Sequence, residues 1–409
     1  MPRINGKDPR RLRATPSMSI CLIIAAAFIV YVNRQLLPML KPVISADLGW
    51  GDTQYGTVVA AYQAAGAVAL LLGGVAVDRM GLRWAGTVLM GAWAIATIGH
   101  MWANTLVAFV LLRMIAGASQ ATSVPMALKA VKILLPAQMR ATAVGILNAA
   151  SIAGMIAAPF LIPLLAAALG WRGAFLLSGL VGCLWAVAWW WCLPTGVRVE
   201  EAPPAPAVSL RGILSRRVVW GLIGAKFLSD LTWWLSFYWL PDYFFRQFDL
   251  ETTELGGPLV TVYSLSAIGS VTAGLLTSVL IGRGASAPAV RFGALLFAAV
   301  AVPLFLPFAT RAEDAATSAL VIGLALAAHQ VFAVSLFSLI ADVTGAEEIG
   351  RVTGLVVFAG NVGGILISKV ADVVLTAGHG YLPLFIGCAF TYALAVIWLW
   401  MMIPAFRRR

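Results

Sequence analysis

Charged side chains inside otherwise apolar stretches are the residues whose chemistry needs explaining, and Arg34, Arg113, Lys129, Lys226 and Asp230 are of this kind. Charge at the centre of a bilayer is costly and, where it is kept, faces a cavity or a partner. Arg34 is the first candidate for binding. Its guanidinium does not deprotonate and offers a planar fork that suits a carboxylate, although a helix-end carbonyl or a distant acid would satisfy it too. Lys129 and Arg113 share one stretch about four turns apart, and either can hold an anion or serve structure alone. Asp230 follows Lys226 by four residues, the spacing of an ordinary helical ion pair; a titrating carboxylate is the sharper reading. His329, beside Gln330, can change charge near neutral pH or act as a neutral hydrogen-bonding group. Asp230 and His329 are therefore the candidate sites for a coupling proton. Trp233, Trp234 and Tyr238 can stack on a ring, but aromatic residues at helical spacing are more often packing. There is no Ser/His/Asp set, nucleotide loop or Cys/His cluster in the sequence, so no catalytic residue, metal site or cofactor is expected.

The elements that position these residues follow from composition. Of 409 residues, 61% are hydrophobic and 11% charged, with a mean hydropathy of +0.92, which excludes an ordinary soluble domain. A bilayer core needs about 20 apolar residues per helix. Breaks at charged and Pro/Gly-rich points give twelve such stretches, spans one to twelve, at 17–42, 54–77, 84–103, 105–134, 141–169, 172–193, 217–245, 255–281, 288–309, 315–341, 351–376 and 381–404. The net charge of +11 is spread between apolar runs and forms no nucleic-acid patch. Cys21, Cys183, Cys192 and Cys388 lack ligand spacing and read as small buried residues.

Basic residues are concentrated in the segments that share a side with both termini, including Arg3, Lys7, Arg10, Arg11, Arg13, Arg79, Arg83, Lys132, Arg140, Arg283, Arg351 and Arg407 to Arg409. The opposite side holds only Lys41, Arg172, Arg246 and Arg311. That asymmetry places both termini in the cytoplasm. The basic start leads into a full-length span rather than a cleavable signal. The expected organisation is a cytoplasmic N-terminus (1–16), a six-helix bundle (17–193), a Pro/Ala-rich cytoplasmic linker (194–216), a second six-helix bundle (217–404) and a basic tail (405–409). Residues 143–156 and 352–366 align at an offset of 209, pairing Gly145 with Gly354, Gly154 with Gly363 and, further on, Trp189 and Trp191 with Trp398 and Trp400. A weaker echo pairs Gly73–Arg83 with Ala273–Arg283. An all-α membrane protein of two related halves is the expected fold class.

GGVAVDRMGLR, in the turn between spans two and three, resembles the loop signature of the major facilitator superfamily. Gly74, Asp78, Arg79, Gly81 and Arg83 are its gate residues, with charge-assisted contacts at a helix end. RMIAG, from Arg113 to Gly117, matches the superfamily's R-x-x-x-G pattern. YVNRQ, AAYQAAG, RMIAGASQATSVPMALKAVKILLPAQMRATAVG, GWRGAFLLSG, AAHQVF and GLVVFAGNVGG together look most like hexuronate transporters of the anion:cation symporter family.

That resemblance implies alternating access and a small organic anion such as a hexuronate or aldonate. Arg34 would anchor the carboxylate. Tyr31, Asn33, Tyr62, Gln120, Lys129, Asn148, Ser151, Trp234, His329, Gln330 and Asn361 would line the site, a proton or other ion would be the coupling partner, and a monomer in a bacterial inner membrane is expected. Two departures matter: Asn33 and Gln120 stand where many relatives carry acids, and Gly66 replaces a common aromatic residue. Coupling therefore moves to Asp230 or His329, or the chain is a uniporter or exchanger. Export of aromatic, drug-like compounds is the remaining transport alternative.

Overall fold

The computed structural model describes residues 16–193, 210–345 and 348–403. The basic N-terminus, most of the linker and the basic tail lie outside the described residues, as do the side chains of Gly74 and Asp78. Span one is two helices, Pro16–Arg34 and Leu36–Leu48; span four is also two, Leu106–Ala121 and Ser123–Leu134. Two very long helices, Asp52–Gly99 and Ala137–Cys192, each turn sharply at one glycine, Gly81 (φ 74°) and Gly170 (φ 70°). Only glycine adopts such a backbone without strain, so each of these helices is two rods. Spans seven to twelve are Arg217–Phe248, Gly256–Gly282, Ala287–Phe305 with a 3₁₀ extension Leu306–Arg311, Ala315–Val343, Ile349–Thr376 and Leu382–Met402.

The described residues thus form twelve membrane-length rods. Nine stretches are long and apolar enough to cross a membrane as they stand; the difference lies in Gln138–Cys192, which holds two rods, in rod 82–99, and in the charged Arg217–Phe248. Large apolar side chains cover the outer surface, Leu184 at 70% and Val300 at 68% exposure among them, as a lipid-facing surface requires. Cys21 is exposed there too and Cys183 is half-buried, so of the four cysteines expected to be buried Cys192 and Cys388 are.

The repeat has structural counterparts. Thr105 caps span four by accepting from the Ala108 amide (3.2 Å), and Asp314 caps span ten by accepting from the Thr317 amide (2.8 Å); these positions keep the offset read from the glycines. A Cβ at Gly154 would run into the Phe28 carbonyl, and one at Gly363 into the Phe227 carbonyl. Span five therefore presses on span one as span eleven does on span seven. The tryptophan pairing needs correcting. Trp398 donates to the Trp220 carbonyl of span seven (2.8 Å), and its counterpart is Trp185, which donates to the Leu22 carbonyl of span one (2.7 Å). Trp189 reaches Leu82 instead. The second-half turn is also displaced, with Gly284 (φ 97°) as its left-handed residue.

Candidate functional site

Span one breaks at Gln35 and span four at Thr122, and both breaks have a local cause. Pro38 cannot donate to the Arg34 carbonyl four residues back, nor Pro125 to the Ala121 carbonyl. Arg34 thus ends the first helix of span one, and Gln120 lies beside the break in span four. The Arg34 guanidinium donates from Nε to the Tyr62 hydroxyl (3.2 Å) and to Gln120 Oε1 (3.3 Å). Tyr62 donates to the same Gln120 oxygen, and Gln120 donates back to the Val30 carbonyl (3.2 Å). Three rings surround the cation, Tyr31 at 5.7 Å, Tyr62 at 5.9 Å and, from span seven in the other half, Trp234 at 5.8 Å. Trp234 is held by its indole N–H on the Gly360 carbonyl (3.1 Å) and stacks on Tyr238 (5.6 Å).

The hydrogen-bond partners of Arg34, Tyr62 and Gln120, are both neutral. The site therefore presents a positive charge held by neutral groups, where the two halves meet. Arg113 lies behind Tyr62, 6.0 Å from its ring and 5.3 Å from that of Phe175, with Nε and Nη2 unpartnered although the residue is only 4% exposed. The Tyr238 hydroxyl and Gln63 Oε1 are likewise buried without partners. Gly117 is structural: a Cβ there would run into the Tyr62 carbonyl.

Other expected site residues lie elsewhere. Asn33 faces into its own bundle, donating to Ser178 (2.8 Å) and accepting from Trp93 (2.9 Å), so it is a packing residue. His329 pairs with the Tyr392 hydroxyl (2.6 Å) and stacks on Trp233 within the second bundle; Gln330 donates to Ser266 (3.1 Å). Asn361 donates to its own helix at Val357 (3.0 Å). Tyr31, Asn148 and Ser151 share a largely aliphatic crevice of about 150 Å³ between spans one, four and five. Lys129 reaches the Val77 carbonyl (3.4 Å), close to the loop motif rather than to Arg34. Asp230 and Lys226 form the expected ion pair at 2.8 Å, and the carboxylate packs against Gly360. No group of three or more His, Cys, Asp or Glu among the described residues can hold a metal.

Sequence reasoning missed the distal end, that is, the end away from the linker. Lys41, counted above only as a basic residue of the side opposite the termini, is 2% exposed and pairs with Asp52 and with Asp242, both at 2.8 Å. Arg246 completes the group, on Asp52 at 2.5 Å and Asp242 at 2.9 Å. Further contacts between the halves lie at the same end: Thr53 on Asp372 (2.7 Å), Lys369 on Thr57 (2.7 Å), and Tyr55 on the Tyr238 carbonyl (2.5 Å). At the proximal end, Arg83 stacks on Trp190 at 4.0 Å, Arg79 is exposed, and Gly81 makes the turn. Arg216 pairs with Glu348 at 2.6 Å and holds that carboxyl below its usual range.

A bundle of membrane-spanning rods in two related halves, with a caged arginine between them, is the build of a membrane transport protein and not of an enzyme. Residues 23–368 match the Major Facilitator Superfamily, and the chain belongs to that superfamily. It is 25% identical to the probable L-galactonate transporter of Escherichia coli strain K12, over 77% of this chain and 73% of that protein. It is 23% identical to the hexuronate transporter of the same strain, over 96% and 94%. A probable sulfoacetate transporter of Cupriavidus necator is 26% identical over 87% and 84%. These names agree with the likeness to hexuronate transporters. Among solved structures, a bacterial homolog of the human lysosomal transporter Spinster, inward-facing and unoccupied, superposes with a TM-score of 0.75 at 16% identity, covering 98% of this chain and 97% of that one, which concerns the fold alone.

Proposed function

We infer that the chain moves a small organic anion, a sugar acid of the hexuronate or aldonate kind, across a bacterial inner membrane by alternating access. The single observation that carries this reading is Arg34: a guanidinium at the meeting of the halves, held by Tyr62 and Gln120 and ringed by three aromatic faces. Its fork takes the carboxylate, while the ring faces of Tyr31 and Trp234 suit the apolar face of a sugar backbone. Arg113, with two unpartnered donors behind Tyr62, is the second cationic contact for the anion. With both termini cytoplasmic, the distal contacts close the outer side in this conformation. Two domains, 17–193 and 217–404, rock about this site.

Coupling to a proton runs through Asp230, the buried carboxylate near the middle of span seven, with Lys226 as its counter-ion. A uniporter or exchanger is the second reading. It is favoured by Asn33 and Gln120, neutral where an acid would serve, and by the packing position of His329. The deciding experiment is uptake of labelled glucuronate and galactonate into proteoliposomes, with and without an imposed proton gradient, in wild type and Arg34→Ala. Gradient-driven accumulation lost in Arg34→Ala supports the first reading. Gradient-independent equilibration supports the second, and undiminished uptake by the folded Arg34→Ala protein rejects the site.

A further inference from the structure

Four charges at the distal end make a closed square. Two of its sides lie within a half: Lys41 with Asp52 (2.8 Å) in the first, Asp242 with Arg246 (2.9 Å) in the second. Two sides cross between halves: Lys41 with Asp242 (2.8 Å) and Asp52 with Arg246 (2.5 Å). Each charge therefore has one partner at home and one abroad. The surrounding groups repeat the pattern. The Lys41 ammonium lies 4.7 Å from the ring of Tyr55 in its own half and 4.4 Å from that of Trp239 in the other. Asp242 also accepts from the Tyr381 hydroxyl (2.5 Å), which stays with it on the second half.

We propose that this square is a self-neutralising gate: separation of the halves breaks the two crossing sides and leaves each half with a complete ion pair. A latch built only from crossing pairs would strand four charges on opening, and a buried charge that loses its partner is strongly destabilising. Here Lys41 keeps Asp52 and Tyr55, and Asp242 keeps Arg246 and Tyr381. No ion or substrate has to enter the gate to neutralise it, so the distal end can open and close without a counter-substrate. The inference goes beyond the substrate reading and rests on it only for the existence of two alternating states.

Closure is read by a disulfide between Thr53→Cys and Thr376→Cys, whose native hydroxyl oxygens are 3.5 Å apart across the halves, in a background with the four native cysteines replaced by alanine. Reversal within a half, Lys41→Asp with Asp52→Lys, keeps both home pairs and sets like charges on both crossing sides; cross-linking should fall severalfold in a protein that remains monodisperse. Reversal across the halves, Lys41→Asp with Asp242→Lys, keeps both crossing attractions and should hold cross-linking at the parental level. Reversing all four charges should restore it. If the within-half reversal fails to fold, Lys41→Met with Asp52→Asn leaves the Asp242–Arg246 pair intact and should also lower cross-linking. Unchanged cross-linking in the within-half variants, or a folded fourfold reversal that does not recover, would overturn the proposal. The readout needs no substrate, so its failure leaves the sugar-acid reading standing, and failed uptake leaves the gate standing.

Discussion

The distal interface between the halves and the proximal loops treat charge in opposite ways. At the distal end, Lys41, Asp52 and Asp242 are each less than a tenth exposed and are paired across the halves. At the proximal end, Arg216 at the end of the linker pairs with Glu348 and Arg291 with Asp342, and each pair has one partner more than a third exposed. Charge buried at an interface between moving parts holds a conformation; charge at a solvated loop end does little beyond ordering the loop. The difference teaches where the closed state of this conformation is stored.

Substitutions can break or sharpen this contrast. The largest effect is expected midway between the ends: Arg34→Ala should lower sugar-acid uptake at least about a hundredfold, since truncating one partner of a buried charge pair is worth a few kcal/mol. Initial rates in proteoliposomes check it. Next, Asp242→Asn leaves Lys41 and Arg246 with Asp52 alone; a loss of about 3 kcal/mol of closed-state stability is expected, seen as a lower melting temperature in detergent. Asp372→Asn should be milder, because the asparagine oxygen can still accept from the Thr53 hydroxyl and the crossing bond loses only its charge assistance, about 1 kcal/mol; cross-linking of the distal ends should decline partially. Glu348→Gln should move the melting temperature least. Its carboxyl is held below the usual range by Arg216, so the pair is intact above the usual carboxylate range and is lost as the pH falls through the depressed value. A pH series of melting curves should therefore converge for wild type and Glu348→Gln only in acid. A Glu348→Gln effect as large as that of Asp242→Asn would erase the contrast.

Much of this arrangement is legible in the sequence, and the misses have physical reasons. Hydropathy and the distribution of basic residues suffice for the rods, because a bilayer tolerates little else. Arg34 stands out because intramembrane arginine is rare. Asn33 was assigned to the same site, yet adjacent helical residues point about 100° apart; with Arg34 directed at the other half, Asn33 must face its own bundle, where Trp93 and Ser178 receive it. The helix breaks have their sequence signal in Pro38 and Pro125, but proline is frequent in membrane helices and does not by itself place a break. The distal square was hidden for two reasons. Lys41 stands at the edge of the expected span, 17–42, where a lysine reads as a topological charge, although the helix continues to Leu48 and buries it. The partners Asp52 and Arg246 are 194 positions apart, beyond the reach of any local pattern.

The home pairs also bear on how the protein is made. Lys41 and Asp52 are only eleven positions apart, joined by the turn between spans one and two, so both charges emerge from synthesis nearly together. The first half can enter the bilayer with its lysine already neutralised, long before the ribosome reaches Asp242. The second half brings Asp242 and Arg246 on consecutive turns of one helix. For these four charges, insertion thus requires none to wait in lipid for a partner that has not yet been translated.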